Sequence, residues 1–199
     1  MKPRLIGLML VAALALTATT TASAISFKPS KAGTIKLTGE GIHKITIVGG
    51  PVLECETLAS STSVGAAETF SIVLLLKYGK CTMAGLAATV STGTILLDAN
   101  GSVRLLGGTS LKFIITSAAG KCSLLFQSED ESTVKLLGTV KYTNEGGKIK
   151  GVAEVSGLSA VVHAPAGNTN CGATNGTVSA ATLTGSYVLE LVGGTITVK

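Results

Sequence analysis

The chain has 199 residues, of which 46% are hydrophobic and 14% charged, and its formal net charge is +5. The basic residues are scattered along the chain, tryptophan is absent, and aromatic residues make up only 4%. This composition argues against a nucleic-acid partner, because nucleic-acid surfaces combine a basic patch with aromatic side chains that stack on bases.

The first 24 residues have the three parts of a signal peptide. Lys2 and Arg4 form a basic start, Leu5–Leu16 is a short apolar run, and Ala22–Ala24 is an A-x-A cleavage site. An apolar run of about a dozen residues is too short for a membrane helix, which needs roughly 20. The sequence therefore predicts a cleaved leader over 1–24 and a mature chain that begins at Ile25. We expect that chain to lack a transmembrane segment and to be secreted, either extracellular or in the cell envelope.

The stretch Phe70–Tyr78, which reads FSIVLLLKY, is the best candidate for a central strand. Side chains alternate between the two faces of a strand. One face carries Phe70, Ile72, Leu74, Leu76 and Tyr78. The other face is apolar at Val73 and Leu75 and polar at both ends. This pattern predicts burial along the whole of the first face and near the midpoint of the second.

Further strands are predicted from short apolar or alternating runs bounded by glycine-rich turns. In chain order they are Gly33–Thr38, Ile42–Val48, Val52–Leu58, Leu86–Val90, Thr94–Ala99, Ser102–Leu106, Ser110–Thr116, Lys121–Gln127, Val134–Tyr142, Lys148–Ser156, Leu158–His163, Leu183–Val192 and Thr195–Val198. No segment has the 3.6-residue periodicity of a helix.

Glycine-containing turns predict how some of these strands are joined. Gly39-Glu40-Gly41 is interpreted as a hairpin loop, and Gly193-Gly194 as a two-residue hairpin turn. Asn100-Gly101 predicts a type I′ hairpin turn, because both central residues of that turn need a positive φ. Asn144-Glu145-Gly146-Gly147 predicts a further reversal of the chain.

Ten or more short strands without helices predict an all-β fold, either an antiparallel β-sandwich or a barrel-like domain with two disulfides. A single domain over 25–199 is favoured, because each half alone would bury little apolar surface. A subdivision near 107–108, at Gly107-Gly108, is the alternative.

Four cysteines, Cys55, Cys81, Cys122 and Cys171, lie in the predicted mature chain. An even number in an exported protein is typical of disulfides. No C-x-x-C pair occurs and neither histidine is near a cysteine in sequence, so disulfides are favoured over a zinc site and no metal ligand is predicted among the cysteines. Because consecutive strands are usually neighbours, Cys55 is expected to pair with Cys81. Cys122 then pairs with Cys171, which would anchor the Gly- and Asn-rich segment Ala164–Gly176.

Reactive side chains are few. The sequence has two histidines, His43 and His163, and no G-x-S-x-G nucleophile motif. His43 shares a strand face with Ile45, and His163 ends an apolar strand, so we expect both at the margin of the sheet. The sequence predicts no catalytic residue, no cofactor-binding residue and no cofactor.

Acidic side chains offer two further candidate sites. Glu54 and Glu56 share one strand face, but a glycosidase needs two carboxylates that face each other across a cleft. The loop Glu129-Asp130-Glu131 could hold Ca²⁺, although a solvated hairpin tip is favoured, because charged loop tips are common and no ligand spacing repeats. The sequence leaves the calcium question open.

One block carries a family resemblance. Tyr78–Val90 has the spacing Y-x-x-C-x-x-x-G-x-x-A-x-V, and Lys141–Asn144 and the segment from Cys171 to Gly176 accompany it. Together they resemble a group of uncharacterised secreted bacterial proteins. That group often has another cysteine where Ser91–Asn100 lies here, and this sequence lacks it. The resemblance implies export, strands and disulfides, and it implies no activity.

These observations favour an exported, non-catalytic β-domain that acts as a structural or interaction module at or outside the cell envelope. Its partner is unknown; an envelope component or another protein is expected. Two alternatives stay open. One is a secreted hydrolase with a site assembled from scattered residues. The other is a small β-barrel that binds an apolar ligand, which the leucine- and isoleucine-rich composition permits.

Overall fold

The structure is a computed structural model that describes residues 24–48, 50, 52–106, 110–117, 120–127, 135–164 and 176–199. The regular elements within these residues are all strands, and their pairings are antiparallel, which confirms the predicted all-β, antiparallel class. None of the described residues forms a helix that is long and apolar enough to cross a membrane. Residues 1–23 of the predicted leader, Gly107-Gly108, the acidic loop and Cys171 lie outside the described residues.

The described strands differ greatly in length. In chain order they are β1 (Phe27–Pro29), β2 (Gly33–Ile47), β3 (Val52–Val64), β4 (Ser71–Met83), β5 (Leu86–Val90), β6 (Gly93–Asp98), β7 (Ser102–Leu105), β8 (Ser110–Ser117), β9 (Gly120–Gln127), β10 (Lys135–Glu145), β11 (Lys148–His163), β12 (Gly176–Leu191) and β13 (Ile196–Val198). β2, β3, β4, β11 and β12 have between 13 and 16 residues. A typical strand has about five or six residues. Each of the five long strands can therefore pair with one set of neighbours along its first half and with another set along its second half.

The five long strands lie side by side in the order β4-β3-β2-β12-β11, and the two outermost change partner along their length. β4 pairs with β6 through residues 71–76 and with β5 through 81–83. β11 pairs with β10 through 148–153 and with β9 through 161–163. Two sets of shorter strands therefore connect β4 to β11. One half of the long strands is closed by β6, β7 and β10, and we call this circuit ring A. The other half is closed by β5, β8 and β9, and we call this circuit ring B.

Each ring is a closed circuit of eight strands, five of them shared, and each encloses its own apolar core. The ring A core includes Ile72, Leu74, Leu97, Ile149 and Leu189, and the ring B core includes Leu53, Met83, Phe113, Leu124 and Val162. Tyr78, Leu137 and Leu183 pack against both cores and mark the level where they meet. Because one strand face lines the interior and the other faces solvent, inward apolar residues alternate with outward polar ones.

The two shortest strands close one end of ring A. Phe27 of β1 and Ile196 of β13 are fully buried in the ring A core. β1 pairs with β13, and beside this pair the backbone N–H of Ser26 donates to the carbonyl oxygen of Lys199 at 2.8 Å. The ring of Phe27 meets that of Tyr142 edge-on, with centroids 5.6 Å apart. The β1–β13 unit is thus held by backbone bonds and by burial of its inward side chains.

The outer face of β4 corrects one prediction. On the predicted inward face, the burial of Ile72, Leu74 and Leu76 is confirmed, but the predicted burial of Phe70 is wrong, because Phe70 precedes the strand and is 63% exposed. The expected partial burial of the opposite face is wrong, because Val73 and Leu75 are 46% and 41% exposed. A sheet that closes on itself has one interior, and no second sheet lies over this part of its outer surface among the described residues.

The hairpin predicted at Asn100-Gly101 is confirmed, but its type I′ turn is wrong. The loop between β6 and β7 has three residues, Ala99–Gly101, of which only Gly101 has a positive φ, +93°. The N–H of Gly101 donates to the carbonyl oxygen of Asp98 at 2.9 Å. The Asn100 side-chain oxygen accepts from the N–H of Ser102 at 2.9 Å. This is the pattern of a three-residue loop, a type I turn followed by a left-handed glycine.

Two other predicted hairpins are wrong for a common reason, namely that glycines inside or beside long strands resemble turn residues. Gly39-Glu40-Gly41 lies within β2, which continues to Ile47. Gly193-Gly194 precedes β13, which pairs with β1 instead of folding back on β12. The reversal at Gly146-Gly147 is confirmed, since it joins β10 to β11 and both glycines have a positive φ.

Introducing aspartate at neighbouring positions of β4 tests the assignment of its faces. Leu74 is fully buried in ring A. An unpaired carboxylate there should cost several kcal/mol, comparable to a domain's whole stability of roughly 5–15 kcal/mol. Leu74→Asp is therefore expected to be unfolded in circular dichroism melts. Leu75→Asp, on the exposed face, is expected to change the free energy of unfolding by less than about 1 kcal/mol. Equal melting temperatures for the two variants would contradict the assignment.

Candidate binding site

A bulge in β2 brings His43 to the level where the two rings meet. The register with β3 passes from Thr38 opposite Ala59 to His43 opposite Cys55, so four residues of β2 face three of β3. Gly41, in the bulge, has a φ of +70°, a conformation that favours glycine. A bulge bends and twists its strand locally. Inward-facing positions resume after it with His43.

Two glycines make room for the His43 imidazole. A Cβ atom on Gly39 would lie 2.7 Å from Nε2 of His43, and a Cβ atom on Gly185 of β12 would overlap its Nδ1. The ring therefore occupies space in which the neighbouring strand positions have no side chain. Tyr78 of β4 meets the imidazole edge-on, with ring centroids 5.9 Å apart. His43 is only 5% exposed as a result.

The protonation state of His43 follows from these surroundings. Burial lowers the pKa of the imidazole below its ordinary value of 6.5, and a hydrogen bond with the backbone of Ser186 opposes that shift in part. A backbone group that raises the pKa of a histidine is an acceptor, a carbonyl oxygen. Since Nε2 has no hydrogen-bond partner and Nδ1 lies against Gly185, the residue before Ser186, we assign this bond to Nδ1 as the donor. The neutral ring thus keeps its proton on Nδ1, and Nε2 is an unpaired buried acceptor.

Three tyrosines add phenolic hydroxyls to the polar groups of the interior. Burial raises the pKa of Tyr78 to about 12, and burial likewise raises the pKa of Tyr142 to about 12. Burial, followed by the nearby Tyr142, raises the pKa of Tyr187 well above its ordinary range. The hydroxyls of Tyr142 and Tyr187 affect each other's pKa, yet neither makes a hydrogen bond of good geometry. Tyr187 lines the cavity described next, and Tyr142 is not among the residues that line it.

A cavity of about 70 Å³ lies at the junction of the rings, beside His43, Tyr78 and Tyr187. Its apolar walls come from both cores. They include Leu37, Leu97 and Ala153 of ring A and Ile45, Leu111 and Phe126 of ring B. A site of this kind, mostly apolar with a few convergent polar groups, is typical of small-molecule binding in proteins.

The predicted disulfide between Cys55 and Cys81 is confirmed. The two residues lie directly opposite each other on β3 and β4, and their sulfur atoms are bonded at 2.02 Å. Cys122 is buried in the ring B core and is not a free thiol. Its predicted partner, Cys171, lies outside the described residues, so one disulfide is seen and the pairing Cys122–Cys171 stays a prediction.

The two histidines differ in burial. His163 is exposed at the end of β11, as expected. The prediction that His43 lies at the sheet margin is wrong, because β2 does not end at Gly39-Glu40-Gly41 but continues past it through the interior. One signal in the sequence pointed to this outcome, since His43 shares a face with Ile45, which is buried.

The acidic candidates lie on the outside. Glu54 pairs with Lys44 at 2.7 Å, and Glu56 with Lys80 at 3.6 Å. All four side chains are more than a third exposed, so these are surface ion pairs of small energetic weight rather than two carboxylates across a cleft. Among the described residues, no group of three His, Cys, Asp or Glu side chains is arranged to hold a metal ion.

Comparison of the chain with protein-family models, with curated proteins and with solved structures finds no match. The resemblance based on the block Tyr78–Val90 therefore stays a prediction. Function must be inferred from the geometry of the junction.

The burial of His43 predicts a dependence of stability on pH. Its pKa in the folded protein is below 6.5, so between these two values the unfolded chain binds a proton that the native protein does not. Stability therefore falls as the pH drops below about 6.5. His43→Gln removes this titration. Urea unfolding at about pH 7.5 and pH 5 should show that the wild type loses more stability on acidification than His43→Gln does.

His163→Gln is the matched control, because that side chain is exposed. It is expected to lose stability on acidification by as much as the wild type. Equal losses for all three proteins would contradict a buried, neutral His43. An NMR titration of the wild-type His43 ring, in which the pKa should lie below 6.5, gives the same information if His43→Gln fails to fold.

Proposed function

We propose that this protein is an exported, non-catalytic β-domain that binds a small, mainly apolar molecule in the cavity between its two rings. The observation that carries the proposal is the cavity itself, about 70 Å³ of space surrounded by apolar side chains of both cores. A single water needs roughly 10–15 Å³, and apolar cavities of larger size stay dry and accept apolar guests. The volume suits a molecule of a few heavy atoms.

The energetics support a bound guest. Unfilled core volume destabilises a protein by about 24 cal/mol per Å³, so this cavity would cost roughly 1.7 kcal/mol when empty. A ligand that fills it restores the missing dispersion contacts and adds its own burial. The ring closure also favours binding, because the cavity lies between two circuits of paired strands that hold its walls in place before a ligand arrives.

Export is supported by independent features. The first 24 residues have the pattern of a cleaved leader. The buried disulfide Cys55–Cys81 is consistent with an oxidising compartment, such as the cell exterior or envelope. A second bond, Cys122–Cys171, and a bacterial origin belong to the same proposal, on the strength of the cysteine count and the resemblance to secreted bacterial proteins.

A structural or interaction role is the second candidate, and one observation favours it. The outer surface of ring A exposes several large apolar side chains that a closed core does not need. They are Phe70, Val73, Leu75 and Leu136, which are between 41% and 63% exposed. Exposed apolar side chains that lie close together often mark a contact with another molecule. A hydrolase is less well supported, since the cavity walls described here carry no carboxylate to orient His43.

Filling the cavity tests the proposed function. Ala153 lies in the cavity wall, and Ala153→Leu adds three carbon atoms there. Titration of the wild type with isobutane, a compact guest of four carbon atoms, should shift the NMR signals of the residues lining the cavity in a saturable way. Ala153→Leu is expected to weaken this binding at least about tenfold, because the guest and the new side chain compete for the same space.

Val152→Leu is the matched control, since its position is the next one along β11 and faces outward, 38% exposed. It should bind isobutane as the wild type does. If Ala153→Leu does not fold, Ala153→Val provides a smaller filling. Absence of saturable shifts in the wild type, or unchanged binding in the folded Ala153 variant, would refute the proposed function.

A further inference from the structure

The polar groups of the cavity wall restrict the chemistry of its ligand. The wall contains no lysine, arginine, aspartate or glutamate among its described residues. A charged ligand would lose its hydration there without gaining a counter-charge. His43 and Tyr187, each 5% exposed, instead offer unpaired polar atoms, Nε2 and the phenolic oxygen. The ligand must therefore be neutral, and it gains most if it carries a hydrogen-bonding group.

The direction of the hydrogen bond follows from the state of His43. With the proton of the neutral ring assigned to Nδ1, on the side of Gly185 and Ser186, the unpaired Nε2 is an acceptor. Gly39 lies directly beside Nε2, where any Cβ atom would stand 2.7 Å from the nitrogen. The missing side chain therefore leaves room for the imidazole in the cavity wall, where Nε2 has no hydrogen-bond partner. A buried acceptor without a partner is costly, and a donor from a ligand removes that cost.

We propose that the ligand is a small apolar molecule that carries one hydroxyl group, whose O–H donates a hydrogen bond to Nε2 of His43. The hydrocarbon part of the ligand fills the apolar remainder of the cavity. A hydroxyl fits better than an ammonium or a carboxylate, because it is neutral at physiological pH. This inference rests on the proposed function.

The test compares two guests of the same shape, 2-propanol and isobutane. In 2-propanol a hydroxyl takes the place of one methyl group of isobutane. Both are titrated by NMR into the wild type and into His43→Phe, a variant that keeps a flat ring and removes the acceptor. The affinities of the two guests for one protein differ because water solvates the alcohol better than the hydrocarbon. The ratio of the two affinities is therefore compared between the wild type and His43→Phe. That ratio, alcohol over hydrocarbon, is expected to fall about tenfold in His43→Phe.

A second measurement needs no variant. In the wild type, 2-propanol should move the ¹⁵N resonance of His43 Nε2 in the direction of a hydrogen-bonded acceptor, and isobutane should not. His163→Phe, at an exposed position, is the control and should leave the affinity ratio unchanged.

The outcomes separate the two proposals. If neither guest binds the wild type, the proposed function fails, and this inference fails with it. If both bind but the ratio is the same in His43→Phe, or Nε2 does not respond to the alcohol, the proposed function stands and the assignment of a hydroxyl to His43 is overturned. A ratio that falls together with an Nε2 response supports the assignment.

Discussion

The exchange of partners along β4 is the constraint on which the rest of the structure depends. β4 leaves β6 after Leu76 and joins β5 from Cys81 onward. Between these points Lys80 has a φ of +50°, which is uncommon for a residue other than glycine. The disulfide from Cys55 to Cys81 holds β4 against β3 immediately after Lys80. One strand can thereby close two rings.

The interior at the junction is a consequence of this arrangement. Each ring packs its own core, and the side chains that reach the shared level must fit both. The bulge in β2 and two small residues, Gly39 and Gly185, leave room there for an imidazole. They do not provide enough side-chain volume to fill the remaining space, and a cavity results. The proposed binding function and the proposed preference of His43 for a ligand that donates a hydrogen bond both come from this incomplete filling.

Local sequence patterns predicted many of the strands but not that some of them continue through glycine-rich segments. The inward face of β4 follows from alternation, and the Cys55–Cys81 bond follows from the adjacency of consecutive strands. The passage of β2 through Gly39-Glu40-Gly41 is decided by pairing with β3 and with β12, which is more than 130 residues away in sequence. Local reading cannot detect such pairing. The cavity was equally hidden, because its walls come from strands scattered over the whole chain.

The most direct test of the account is a crystal structure of the protein under xenon pressure. Xenon is a compact apolar atom that occupies dry interior cavities. The account predicts a xenon peak inside the closed sheet, in contact with side chains of both rings and beside His43 and Tyr187. A well-ordered interior with no xenon at this level, filled by protein atoms, would contradict it.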